Sequence, residues 1–137
     1  GHITIDLKRL SNMKLKKEAD AWIKRKYNSM RIDEYQNKAK TTAIYAQEHK
    51  IMYPALGLSG EAGEVANKVK KIMRDGVQKL PPDWKEQLGS EIGDVLWYCA
   101  VLADDLNLSL SSLAAQNLEK LERRKEQGKI QGSGDKR

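Results

Sequence analysis

Residues 83–106, DWKEQLGSEIGDVLWYCAVLADDL, decide the fold. Asp83 stands where a helix N-cap belongs, just behind the break at Leu80-Pro81-Pro82. Leu88, Ile92, Val95, Cys99, Leu102 and Leu106 then recur at three- and four-residue intervals, the period of a helix. Leu96, Trp97 and Val101 fall off that stripe. A helix that is apolar most of the way round is buried on more than one face. A single bundle of this length has no second core to receive Trp97 and Val101. The expectation is therefore a homo-oligomer, a dimer or tetramer, with residues of this helix at its interface.

The segments on either side read the same way. A preceding helix is expected from about Leu56 to Asp75, with Leu58, Ala62, Val65, Val69 and Ile72 as its apolar stripe and Gly76 as its stop. Before it, Asp33 reads as the cap of a first core helix to about Lys50, carrying Tyr35, Ala39, Thr42, Ala43 and Ala46 and ended by Tyr53-Pro54. After Asn107, Ser109 caps a last helix to Gln127, stopped by Gly128. Leu15 to Tyr27 forms a short basic helix with Ala19, Trp22, Ile23 and Lys26 at helical spacing. No segment alternates with period two for long enough to make a convincing strand. The fold class is all-α, a bundle of four to five helices with short connections. The division expected is a basic N-terminal extension (1–29), a helical domain (30–127) and a flexible tail, GKIQGSGDKR (128–137). Met30 is a plausible native start, and Gly1-His2 in place of Met reads as a cloning remnant.

Composition narrows the function. Of 137 residues, 39% are hydrophobic and 32% charged, with no Phe and three Pro, which suits a soluble helical domain. A single cysteine, Cys99, excludes an intrachain disulfide framework and a cysteine-cluster zinc site. Two histidines, His2 and His49, leave little for histidine-based chemistry. No apolar run or signal peptide points to a membrane, and the expected location is the cytoplasm. The net charge of +6 is localised: residues 1–31 hold nine Lys/Arg against three Asp/Glu, and residues 32–137 hold sixteen of each. The body is no basic patch, so nucleic acid is not the expected partner.

Two tetrads carry the chemistry: Glu61-Ala62-Gly63-Glu64 and Glu91-Ile92-Gly93-Asp94. At about 100° per residue, Glu61 and Glu91 fall near 300°, and Glu64 and Asp94 near 240°, from Leu58 and Leu88 respectively. The two pairs thus share one edge of their helices, and antiparallel packing would bring four carboxylates together. Such a cluster is repulsive unless cations join it, and Mg²⁺ prefers oxygen ligands while keeping waters and substrate phosphates. The plainer alternative is two solvated acidic faces paired to Lys68 and Lys71. Neither tetrad has a histidine three residues after a glutamate, which argues against a di-iron carboxylate bundle. Gly63 and Gly93 occupy matched phases. Mid-helix glycines cost about 1 kcal/mol against alanine, which suggests close approach or another constraint there. On the last helix, Asn117 and Arg124 sit within the stripe of Leu110, Leu113, Ala114 and Leu121, with Lys120 at its edge. If buried they need partners: either other helices, or a polyphosphate near the carboxylates.

YPALGLSGEAGEVANKVKK followed by SEIGDVLWYCAVLADDL resembles the MazG-like all-α nucleoside triphosphate pyrophosphohydrolases, whose signature is ExxE, a spacer and ExxD. Here the spacer is 26 residues, Val65 to Ser90. DEYQNKAKTTA is similar to the family's first helix, Asn117 to Leu121 with Arg124 to its phosphate-contacting helix, and the closing tail to those of phage-type members. The resemblance runs from about Arg31 to the C-terminus. It implies hydrolysis of an NTP or dNTP between the α and β phosphates, giving NMP and pyrophosphate. It implies Mg²⁺ (Mn²⁺ as a substitute) on Glu61, Glu64, Glu91 and Asp94, with Glu61 or Glu64 as general base. Asn117, Lys120 and Arg124 would contact the phosphates, Tyr98 would line the site, and Gln36 would reach sugar or base. The resemblance also implies a homo-oligomer whose pocket borrows residues from a neighbour. Two alternatives compete: a phosphoribosyl-ATP pyrophosphohydrolase or dUTPase relative with the same carboxylate plan, and a non-enzymatic basic helical module that binds nucleic acid or a partner helix.

Overall fold

The computed structural model describes residues 7–129; the expected tail from residue 130 onward, and residues 1–6 with His2, lie outside the described residues. Five α-helices follow one another: α1 (Leu7–Lys26), α2 (Ile32–Lys40), α3 (Met52–Asp75), α4 (Trp84–Asp105) and α5 (Leu110–Glu126), with short 3₁₀ turns at Gln47–His49 and Val77–Lys79. No strand occurs among the described residues. The chain divides into two compact units, residues 1–31 and 32–137. The first contains α1, which begins earlier than the expected Leu15.

In the second unit, α3 and α4 form the main antiparallel pair: Gly57 meets Tyr98, Glu61 meets Glu91 and Asp94, and Lys68 meets Glu91. α2 lies across α4, and α5 packs on both. Ala39, Ala100, Val101 and Leu110 make the buried centre, ringed by Tyr35, Ala43, Tyr45, Trp97, Tyr98 and Cys99. Small residues at that centre let the helices approach closely.

Several boundaries differ from the reading of the sequence. The first core helix stops at Lys40, not near Lys50. The Thr41 and Thr42 hydroxyls donate back to the Lys38 and Ala39 carbonyls at 2.6 and 2.7 Å, satisfying the helix end locally. Asp33 lies inside the first turn and accepts from the Glu34 N–H at 3.0 Å. Pro54, expected only as a breaker, sits within the first turn of α3, where a missing N–H is harmless. That helix opens from a tight turn: Ile51 has φ 69° and ψ −56°, and the Met52 N–H donates to the Lys50 carbonyl at 2.7 Å. This is the rare, strained hand of the γ-turn. Asp105 holds it, accepting the Ile51 N–H at 2.9 Å and the Tyr45 hydroxyl at 2.8 Å. Asp83 precedes α4 but makes no capping bond; its carboxylate accepts from the Gln87 side chain at 3.0 Å. Ser109 does cap α5, accepting the Ser112 N–H at 3.2 Å. Gly76 and Gly128 end their helices with φ of 84° and 67°.

The expected interface on α4 also needs correction. Val101 is 1% exposed and lies in the chain's own core. Trp97 is half-buried, its indole N–H donating to Thr42 at 2.8 Å. The short α2 and the segment after it cover that side. Apolar groups left in solvent include Ile92 (56% exposed) and Leu96 on α4, Val69 and Met73 on α3, and, away from these, Ile44, Leu56 and Leu118.

Candidate active site

The antiparallel register of α3 and α4 brings one oxygen of each of Glu61, Glu91 and Asp94 within 4.8 Å of the others. Three of the four expected carboxylates thus converge. Glu64 lies one turn along α3, exposed, outside this group, yet close enough for its charge to act on Glu61. The Glu61 carboxyl is held above its ordinary range, first by a hydrogen bond with Glu91, then by desolvation and the charges of Asp94, Glu91 and Glu64. Crowded carboxylates relieve their repulsion by sharing a proton or by gaining a cation. Lys68 supplies a cation, its ammonium 3.7 Å from Glu91. The expected alternative pairing with Lys68 therefore does form, within the cluster itself. The donor set is all oxygen, anionic and half-buried to exposed, which fits a hard divalent ion that keeps several waters.

Tyr98 follows Asp94 by one turn. Its ring lies over Gly57, where any Cβ would overlap it, so the close approach occurs at Gly57. Nothing comes within 4 Å of a Cβ built on Gly63 or Gly93, which removes close approach within the chain as the reason for those two glycines. The Tyr98 ring meets Trp97 edge-on at 5.0 Å and Tyr53 at 6.5 Å. Burial raises its hydroxyl pKa, followed by Tyr53 and the charges of Glu61 and Asp94. On its far side opens a cavity of about 310 Å³ lined by Thr42, Tyr45, His49, Tyr53 and Trp97. Tyr45 and Tyr53 stack with centroids 4.9 Å apart. The sequence does not mark this group as a site because its members come from three places: Thr42, Tyr45 and His49 from the stretch between α2 and α3, Tyr53 from the first turn of α3 and Trp97 from α4. The one legible signal was the density of tyrosines around a helix break.

The remaining candidates lie on α2 and α5. Gln36 is 8% exposed and wholly committed: its amide donates to the Ala100 and Leu108 carbonyls at 3.2 and 3.0 Å and accepts the Leu110 N–H at 3.0 Å. It ties α2 to α4 and α5 rather than facing the acidic cluster. Arg124 is 6% exposed on α5. Asn117 is exposed and Lys120 half-buried; both line a groove of about 470 Å³ on α5 that none of the four candidate carboxylates lines.

Comparison with known proteins agrees with this geometry. The family model described as the MazG nucleotide pyrophosphohydrolase domain matches residues 47–128, a span that contains both carboxylate tetrads, α3, α4 and α5. The Gene 37 protein of Mycobacterium phage L5 is 46% identical over 114 residues, covering 79% of this chain and 100% of that protein. No solved structure matches. The matched span is more than half of the chain and holds the residues whose acidic turns face each other across α3 and α4, and the chain belongs to the MazG nucleotide pyrophosphohydrolase domain family.

Proposed function

We propose that the protein hydrolyses nucleoside or deoxynucleoside triphosphates between the α and β phosphates, releasing NMP and pyrophosphate. The observation that carries this reading is the convergence of Glu61, Glu91 and Asp94 from two antiparallel helices. These three, joined by Glu64 through a side-chain rotation about its own turn, would hold Mg²⁺, with Mn²⁺ as a substitute. Bound there, the ion supplies Lewis acidity to the α-phosphate and acidifies a water. Glu61 or Glu64 would take a proton from that water. Phosphoryl chemistry of this kind depends mainly on positioning and charge neutralisation. Tyr98 stands between the carboxylates and the aromatic cavity, so a phosphate chain at the acidic cluster would direct its base toward Tyr45, Tyr53 and Trp97. Stacking on such π faces suits any base. Asn117, Lys120 and Arg124 would act on phosphates from a second copy in a homo-oligomer.

A panel of NTPs and dNTPs with Mg²⁺, scored for pyrophosphate against orthophosphate, tests the reading. The expected products are NMP and pyrophosphate at all early times. NDP with orthophosphate, or no turnover across the panel, would overturn it.

A further inference from the structure

Residues 41–51 join α2 to α3 with one short 3₁₀ turn, and through Thr42, Tyr45 and His49 they supply one wall of the aromatic cavity. A connecting segment of this kind is ordinarily mobile unless it is tied down. Here the ties run to α4. The Trp97 indole N–H donates to the Thr42 hydroxyl at 2.8 Å, near the start of the segment. A single atom holds the rest: Oδ2 of Asp105, the last residue of α4, accepts the Tyr45 hydroxyl at 2.8 Å and the Ile51 N–H at 2.9 Å. Ile51 has φ 69°, a conformation that a β-branched residue adopts only when its surroundings impose it. In the helical turn that follows, Tyr53 stacks on Tyr45 with centroids 4.9 Å apart. One carboxylate oxygen therefore fixes both members of the stack, Tyr45 by its hydroxyl and Tyr53 through the turn that opens α3. Burial, and then the bond to Asp105, hold the Tyr45 hydroxyl pKa far above its ordinary value, so it stays protonated and able to donate.

We infer that Asp105 is a positioning residue for nucleotide recognition: it locks the Tyr45–Tyr53 wall in the orientation that receives the base. The inference rests on the hydrolase reading above. In that reaction Asp105 touches neither phosphate nor water, and it lies about 16 Å along α4 from Asp94. Its effect is on how firmly the base is held, not on how fast the bond breaks. A wall ordered before the ligand arrives avoids an entropic cost at binding. It also discriminates, because two tyrosines held to each other and to α4 do not reshape around a base that fits badly. Glu91 and Asp94 on α4 serve the acidic cluster, and the end of the same helix sets the aromatic wall.

The test uses the full chain in Mg²⁺, with Asp105→Ala, Asp105→Asn and Tyr45→Phe beside wild type. KM and kcat are measured on the preferred triphosphate, and binding of the matching NMP by titration. Asp105→Ala should raise KM and weaken NMP binding about tenfold, the loss of two hydrogen bonds to a charged acceptor, with a much smaller effect on kcat. The ratio of kcat/KM between the best and worst bases of the panel should shrink. Mg²⁺ affinity should match wild type, because the acidic cluster is untouched. Asp105→Asn should recover most of the loss, since its carbonyl oxygen can accept from both donors. Tyr45→Phe keeps the Ile51 bond and should fall between. Unchanged KM and NMP affinity in Asp105→Ala would overturn the assignment. So would a parallel fall in kcat and Mg²⁺ affinity, or an Asp105→Asn protein as impaired as Asp105→Ala. If Asp105→Ala does not fold, Tyr45→Phe decides: a raised KM with little change in kcat supports the role, and a wild-type KM refutes it. A wild type inert on every nucleotide defeats the hydrolase reading. The NMP titration then still judges Asp105, and a wild type that binds no NMP defeats both.

Discussion

Glu61 and Glu91 compete for one small volume, and the chemistry of the site follows from that. Because Glu91 hydrogen-bonds to it, the Glu61 carboxyl titrates above its ordinary value. Between the unfolded and folded values the native state therefore holds a proton that the unfolded chain has released. The stability this group contributes is complete below the unfolded value and declines as pH rises through the folded one. In metal-free protein, Glu61→Gln should flatten that decline in a plot of Tm against pH. Adding Mg²⁺ should raise the wild-type Tm at neutral pH and have little effect at low pH, where the ligands are protonated. Calorimetry across the carboxylate range checks both. Glu61→Gln, Glu91→Gln and Asp94→Asn should each lower kcat by about 10²-fold or more while leaving the helical circular dichroism intact. Gln36 has the opposite character. Gln36→Leu strands the Leu110 N–H and two carbonyls in the core, a loss of about 1–3 kcal/mol in chemical denaturation. Activity per folded molecule should survive.

Among the elements, the α3–α4 pair sets every distance in the acidic cluster. Alanine in place of a mid-helix glycine normally gains about 1 kcal/mol. Gly63→Ala and Gly93→Ala should show that gain, since nothing lies within 4 Å of the added carbon. Gly57→Ala should reverse it, because the carbon overlaps the Tyr98 ring; overpacking of this kind costs about 1–3 kcal/mol. Denaturant midpoints of the three variants test the contrast, and Gly57→Ala should also lower turnover by shifting α3 against Asp94. The sequence made α3, α4 and α5 legible to within a few residues, because their apolar period is strong and proline, glycine and serine mark their ends. It made the phase of the carboxylates legible for the same reason. It did not make the end of α2 legible, since alanines and threonines continue the helical period past Lys40 while the threonine hydroxyls cap the backbone there. The aromatic cavity escaped for a related reason: its tyrosines are assembled by Asp105 and a strained turn, and neither leaves a periodic trace. The role of Gln36 is not legible in the sequence, because a buried amide and a ligand-binding amide look identical until their partners are known.

At the scale of the molecule, among the described residues no helix is long and apolar enough to cross a membrane. Val69, Met73, Ile92 and Leu96 nonetheless remain in solvent on one edge of the antiparallel pair. Burying such side chains is worth about 1.5–3 kcal/mol each, so a second copy of this chain is the expected cover. Ile92→Asp should dissociate the assembly in light scattering and lower activity, whereas Trp97→Asp should chiefly unfold the chain, because Trp97 packs on its own core and bonds to Thr42 just after α2. Charge reversal on α1 at Lys14 and Lys24 should leave kcat/KM unchanged, because α1 lies outside both the matched span and the acidic cluster. The turn between α3 and α4 carries a last consequence. Residues 76–83 follow the last residue of α3, while the alignment of the two helices is fixed at the opposite end, where Gly57 receives Tyr98. The helices resemble two rulers clamped at one end, with their marks read part-way along. The strip joining their other ends can be lengthened or trimmed without moving a mark. Insertions there should leave the register of the carboxylates unchanged, but a single residue added between Gly57 and Glu61 would turn the acidic edge by about 100°.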